Sequence, residues 1–463
     1  MNPPALVEPW TRTDAIRACA RLDRTSSTPE ARLLRGRYLR AIEAWPLAWH
    51  ELSALRGALP TPLHEARLEH ELICLAQHAG VSVASGDLDR AVGLAGGDAL
   101  LVAETAVAWS AHQLATGDAS GSLAAAYRAL DALRGAGRAR QWQLVNARAQ
   151  RQLASALAHS ALYGPARRAA ATSVAAARRV GDTSEVAASA YVAGFAAWCA
   201  GAPDAAEPAL DEAAALLRAF GTSTWFATLL CLGRTRIERG HVEEGARLVR
   251  SSGASPSERA FVALACGRVD LAWDVLRDAP PSEAPYNDVV RAIVHVRRGE
   301  ARFALALLEH GRRAFSAKGL DHFALGCAAH LAYAHERIGD VSAPRRGVSV
   351  TRYLADRGAT GFAWFLPEVA AWLGWVAARD AKAADTARVL TARSESAQAD
   401  RRLEPRSATG RNTDLSARER TAVLALIARV MDTRSTRKRH APWCVRSRPD
   451  TRRRKACELR AGQ

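Results

Sequence analysis

Apolar residues recur along this chain at three- and four-residue intervals over stretches several helical turns long. Each stretch runs into a glycine, and a second periodic stretch follows. SGDLDRAVGLA from residue 85, CAGAPDAAEPALDEAAALL from 199, ACGRVDLAWDVL from 265 and RRGEARFALALL from 297 show the pattern. That period places one apolar stripe on an α-helix. Alternating Val/Ile/Thr runs bounded by turn dipeptides, the mark of strands, are almost absent. The prediction is an all-α chain punctuated at Gly86, Gly117, Gly164, Gly201, Gly240, Gly267, Gly299 and Gly339. Glycine ends a helix by adopting a left-handed conformation that other residues resist, and an Asp or Ser just after it can cap the next helix.

A single pair of such helices cannot bury its own apolar face, so successive pairs must stack. The recurring joint Gly-Asp-x-x-x-Ala, as in Gly86-Asp87-Leu88-Asp89-Arg90-Ala91, resembles that of the tetratricopeptide-like arrays. The resemblance covers about residues 30–395, with residues 1–29 as an N-terminal segment. It implies about nine helical hairpins in a right-handed superhelix, with a protein or small effector in its groove. The last hairpin would use FAWFLPEVAAWLGWVAAR from 362 and KAADTARVL from 382. Trp364, Phe365, Trp372 and Trp375 fall close to one helical stripe there and read as a core stripe closing the array rather than a ligand patch.

Composition and charge then divide the chain. Of 463 residues 49% are hydrophobic, enough for a large core. No uncharged apolar stretch long enough for a membrane helix occurs, and the first residues lack the basic head and apolar block of a signal peptide. The 8 cysteines are scattered at 19, 74, 199, 231, 266, 327, 444 and 457, with no CxxC pair. That fits reduced, mostly buried thiols in a cytoplasmic protein rather than a disulfide framework or a metal site. The formal charge of +17 is concentrated at one end: residues 401–463 carry 18 Lys+Arg against 6 Asp+Glu. Such an end attracts polyanions whatever their sequence, or is simply a solvated tail.

Residues 396–414 lie in a polar stretch with Pro405 and Gly410 and no apolar period, which reads as a flexible linker. Beyond it comes LSARERTAVLALIAR, residues 415–429, in which Ser416 and Glu419 form a capping box ahead of an apolar face. This stretch resembles the first helix of the LuxR-type helix-turn-helix regulators: Leu415, Ser416, Arg418, Glu419, Val423, Leu424, Leu426, Ile427 and Ala428 match that family's opening position by position. The resemblance implies a small DNA-binding module over 415–463. In it Thr436, Lys438 and His440 would lie on or beside the recognition helix, and Arg437, Lys438 and Arg439 would meet phosphates. Arg418 would anchor the fold or the DNA backbone. The module is degenerate. After Arg429 the supporting helix is missing, Arg437 stands where an apolar residue belongs, and Pro442 interrupts the recognition helix. A deletion or a change of reading frame after Arg429 would each produce this.

No GxxxxGK[ST] loop occurs, so no nucleotide cofactor is implied, and no GxSxG elbow points to an enzyme. His64 and His70 in HEARLEHE are six apart and point to different sides of a helix, so that segment reads as a charged face rather than a metal site. His322, His330 and His335 share a helix without ligand spacing and read as core or surface histidines. Two functions remain. One is a DNA-binding transcriptional regulator whose array senses an effector; the other is a protein-interaction scaffold whose DNA-reading end is vestigial.

Overall fold

The computed structural model describes residues 28–378, except 80–82, 84, 136–138, 219–222, 278–284, 358 and 360–365, together with 16, 18, 19 and 22. The expected linker, the terminal module with Arg418, Thr436, Arg437, Lys438, Arg439 and His440, the second helix of the last hairpin, and Trp364 and Phe365 lie outside the described residues.

The described residues form nineteen α-helices and no strand. In chain order they are α1 Pro29–Ala41, α2 Trp45–Ser53, α3 Pro62–Ala79, α4 Ser85–Leu94, α5 Ala99–Ala115, α6 Ala119–Ala132 and α7 Arg140–His159. Then come α8 Tyr163–Val180, α9 Thr183–Cys199, α10 Pro203–Leu217, α11 Ser223–Glu238, α12 Val242–Ser251 and α13 Pro256–Ala265. The last are α14 Val269–Arg277, α15 Tyr286–Arg297, α16 Ala301–Ser316, α17 Asp321–Arg337, α18 Ala343–Asp356 and α19 Pro367–Ala377. Consecutive helices pair into nine hairpins, with α19 opening a tenth. The odd-numbered helices also pack on one another from hairpin to hairpin, α3 on α5, α5 on α7, α7 on α9 and so on, while the even-numbered ones pack chiefly on their sequence neighbours. The odd helices are therefore the inner, concave layer of a superhelical array and the even helices its outer layer.

This layering explains the sequence. Each outer helix is more one-sided in its apolar residues than the inner helix it pairs with, because one face meets water. Inner helices have two packed faces, so α9 is apolar nearly all round: Ala187, Ala190, Tyr191, Val192, Phe195, Ala196, Trp198 and Cys199 are all buried. Small residues let paired helices approach. At the crossing of α11 and α12, a Cβ added to Gly233 would sit 2.7 Å from the carbonyl oxygen of Gly245, so neither position accepts a side chain.

Seven successive hairpins turn on one left-handed residue: Gly117, Ala161, Gly201, Gly240, Gly267, Gly299 and Gly339. After each, the next N–H donates to the carbonyl five residues back, for example Asp118 to Gln113 at 2.8 Å, Ala202 to Ala197 at 3.0 Å and Asp340 to His335 at 3.0 Å. That bond satisfies a carbonyl the helix end leaves open. Two expected punctuation points are corrected. Gly86 and Gly164 are the second residues of α4 and α8, not turns. The turn before α8 falls instead on Ala161, φ 55°, whose methyl is fully buried. Caps follow the expected chemistry at Asp98, Asp118, Asp182 and Ser255, each accepting a first-turn N–H.

The array returns on itself. Lys318, at the end of hairpin eight, accepts a hydrogen bond from the N–H of Ala119 in hairpin three, 3.0 Å. His322 of hairpin nine bonds Tyr163 of hairpin four, 3.0 Å. Arg357, after α18, donates to the carbonyl of Ser160, 3.3 Å. Each contact joins hairpins five apart, so one superhelical turn takes about five hairpins and successive turns touch.

Candidate functional site

The inner face changes character along the array. Over hairpins one to four it is charged. Arg37 and Arg40 on α1, Arg148 and Arg151 on α7, and on α3 the steps Arg67–Glu71 and His70–Cys74 are three or four residues long, so each set shares one face. Glu71 is buried and accepts from Nε of Arg37 at 2.9 Å and Nε of Arg40 at 2.6 Å. Glu185, buried in the first turn of α9, accepts from Nε of Arg151 at 2.7 Å and lies 3.4 Å from Nε of Arg148. Asp182 caps α9 by accepting the Glu185 N–H at 2.8 Å, which fixes the carboxylate beneath the two arginines, and a helix N-terminus favours negative charge there.

The carboxylates are buried and the guanidiniums are not: the Arg37, Arg40 and Arg148 side chains are 36%, 35% and 32% exposed. Between them sits Glu104 on α5. Burial raises its pKa, while Arg148, Arg37 and Arg67 from three other helices pull it down, which shows how closely these groups converge. His70 stands 3.5 Å from Thr105 and 3.7 Å from Cys74. Burial depresses its pKa to about 4, so it is neutral near pH 7. Burial likewise holds Glu71 against ionisation, but Arg40 and Arg37 outweigh it and bring its pKa to about 2. Five guanidiniums thus meet three carboxylates, and the cleft keeps a cationic surface over an anionic floor.

From hairpin five onward the inner face is filled. Arg234 on α11 is 5% exposed, its guanidinium 4.6 Å from the ring centroids of both Trp198 and Phe261. It pairs with Glu258 at 3.0 Å, and the Tyr286 hydroxyl donates to the same carboxylate at 2.7 Å. Trp198 Nε1 donates to Glu238 at 3.0 Å. His159, Phe195, His322 and Phe323 complete the packing. Further along, Arg297 on α15 binds Glu368 on α19 through two bonds of 2.6 and 2.8 Å.

On the outer side, α16, α17 and α18 frame a groove of about 660 Å³, with Leu305, Leu331 and Val350 on its walls and Arg312, Arg313 and Arg346 at its rim. Arg312 and Arg313 hold Glu309, lowering its pKa to about 2.

Several sequence expectations change here. The HEARLEHE segment is not a solvated charged face: Glu69 and Glu71 are buried because each is held by two arginines, Glu69 by Arg56 and Arg90. Its histidines do diverge, His64 bonding Thr61 at the surface while His70 faces Thr105. His322 and His330 are core residues, and His335 pairs with Asp340 at 2.7 Å. Trp372 packs on Tyr333, but Trp375 is 49% exposed, so the aromatic stripe does not enter the core as a unit.

Burial pushes the thiols of Cys74, Cys231 and Cys327 up to about 11, 12 and 12, keeping them protonated and inert. Among the described residues no group of three or more His, Cys, Asp or Glu could hold a metal ion, and no helix is long and apolar enough to cross a membrane. The inner face of hairpins one to four presents half-exposed guanidiniums over buried carboxylates.

No family model and no curated protein matches the chain. Several solved structures resemble it. A Rap protein complexed with the competence and sporulation factor is 14% identical, covering 74% of this chain and 93% of its own, with a TM-score of 0.41. The Rap conjugation gene regulator of plasmid pLS20 with the Phr* peptide is 11% identical, covering 87% and 100%, at 0.33. The P58(IPK) TPR domain is 12% identical, covering 81% and 99%, at 0.23.

Proposed function

We propose that the chain is a protein-interaction array, and that the inner face of hairpins one to four takes an extended acidic segment of a partner protein. The observation that carries this is the pair of braced arginine sets, Arg37 with Arg40 over Glu71 and Arg148 with Arg151 over Glu185. Guanidiniums already held by buried carboxylates lose less rotamer freedom when a ligand arrives, and their planar forks suit carboxylate. The inert thiols and neutral buried histidines favour binding over catalysis, and reduced cysteines accord with a cytoplasmic setting.

The test is titration of the intact chain with fluorescent ten-residue acidic, neutral and basic peptides, read by anisotropy. The acidic peptide should bind best, weaken as salt rises, and lose at least tenfold in affinity to the double variant Arg37→Glu, Arg148→Glu. The basic 401–463 stretch also attracts acidic peptides without selectivity, so the variant in the array decides where binding occurs. Equal affinity in wild type and variant contradicts the proposal.

A second reading concerns the terminal stretch. We propose that residues 415–463 contact DNA, supported by the nine matching positions over 415–428 and by the local excess of positive charge. Binding of the intact chain to duplex DNA across a salt series should fall steeply with salt, and Arg437→Glu with Lys438→Glu should weaken it. An absence of binding at low salt contradicts this reading and leaves the scaffold reading standing.

A further inference from the structure

Three features share one place in the fold. The N–H of Ala119 is a first-turn donor of α6 and has no acceptor within its own helix; its partner is the carbonyl of Lys318, 3.0 Å away and five hairpins later. The carbonyl of Ser160 closes the end of α7 and accepts from Arg357 Nη1, 3.3 Å. Between them Tyr163 and His322, both fully buried, share a 3.0 Å hydrogen bond. Arg357 also lies 4.2 Å over the ring of Tyr353, which holds the guanidinium toward Ser160.

These contacts form a narrow seam between successive superhelical turns. Two of the three join helix-end backbone groups that water satisfies equally well once the turns part, so separating them leaves no lasting unpaired group. The third is the tyrosine–histidine bond, beside which the rings of His159 and Phe323 and of Trp198 and His322 meet across the seam with centroids 6.1 and 6.4 Å apart. By contrast, each hairpin on either side of the seam is packed along whole helix faces and closed by its own turn bond. The seam is thus narrow beside the packing within each hairpin.

We propose that the seam is a latch: the superhelical turns separate there as rigid hairpin stacks, without the hairpins unfolding. Opening uncovers Phe195, Trp198, Arg234 and Phe323 and joins the closed inner face of hairpins five to nine to the charged cleft of hairpins one to four. Partners of the array then meet two surfaces, one always open and one gated. The latch does not depend on the acidic-segment reading, since it rests on contacts away from Arg37, Arg40 and Arg148.

Hydrogen exchange of the full chain, resolved to single residues, tests this directly, because the Ala119 amide is protected by the seam and not by its helix. Arg357→Ala and Tyr163→Phe each remove one seam bond and leave the hairpin cores intact. In both variants Ala119 should exchange at least tenfold faster than in wild type, while mid-helix amides of α8, α10 and α12 keep their rates. Alkylation of the buried Cys199, beside Trp198, should accelerate in parallel. Ala119 exchange unchanged in both variants overturns the latch. So does acceleration shared equally by α8, α10 and α12, because the seam would then be an inseparable part of one cooperative core.

Discussion

Hairpins one to three and hairpins five to nine are built from the same unit and differ in what their inner helices carry. In the first set the buried apolar residues form several separate clusters, one around Leu52, Leu68 and Leu72, another around Ile73 and Trp109. Between them the inner face holds ionic pairs whose arginines reach water. Through the second set runs one cluster that begins at Leu114 in hairpin three and ends at Leu373 of α19, and the inner face is closed by Trp198, Arg234, Phe261 and His322. Carboxylates placed under arginines keep a concave face open; aromatic rings placed around a single arginine seal it. The repeat dictates the architecture, and the inner-helix side chains decide whether the groove is available.

The sharpest way to break the contrast is at Arg234. Replacing it by Ala removes a guanidinium packed between two rings and strands the Glu258 carboxylate, a loss of about 3–5 kcal/mol for a buried pair. Urea denaturation should show this, with α9, α11 and α13 losing exchange protection first. In the open half, Glu71→Gln should cost less, about 1–2 kcal/mol, because Arg37 and Arg40 can turn to water. Its effect on exchange should stay within α1 to α3.

Acid acts on both halves through buried histidines. Burial depresses His70 in hairpin two, His159 in hairpin four and His330 in hairpin nine to a pKa of about 4, from an ordinary value near 6.5. For a base with a lowered folded pKa, the unfolded chain takes up protons first. Stability is therefore whole above pH 6.5 and falls by roughly 3 kcal/mol per histidine as the pH drops to 4. Glu71 acts over a lower range: its pKa of about 2 means its contribution is whole above about 4.5 and lost as the pH falls through 2. Circular dichroism against pH should show the array losing helix as the pH falls below 6.5, and His330→Gln should shift that transition to lower pH.

The architecture itself should answer to glycine. Gly233→Val forces α11 and α12 apart and should cost about 1–3 kcal/mol by overpacking. The smallest effect is at a turn. Gly201, φ 74°, replaced by Ala should lose about 1 kcal/mol in thermal unfolding. Ala161→Gly should change little, since relief of its left-handed backbone offsets a lost buried methyl.

Much of the array was legible in the sequence. The 3.6-residue period and the left-handed glycines at 117, 201, 240, 267, 299 and 339 mark the hairpin turns directly, because both follow from local backbone physics. Ala161 hid a turn because alanine carries no signal for a left-handed conformation. The inner face was not legible as a site. Arg37, Glu71 and Arg148 lie far apart in sequence, and only stacking brings them together. One local cue existed: Glu69 and Glu71 flank the core residues Leu68 and Leu72, and carboxylates at such positions need buried partners. Arg234, directly after the apolar run TLLCLG, was a similar cue. The turn-to-turn seam had none, since it depends on the pitch of the whole array.

Arginine modification of the intact chain with phenylglyoxal, read residue by residue by mass spectrometry, tests the open and closed halves most directly. Arg37, Arg40 and Arg148 should label at rates near those of surface arginines, with Arg234 and Arg297 protected at least tenfold. Labelling of Arg234 as fast as Arg148 would contradict the account.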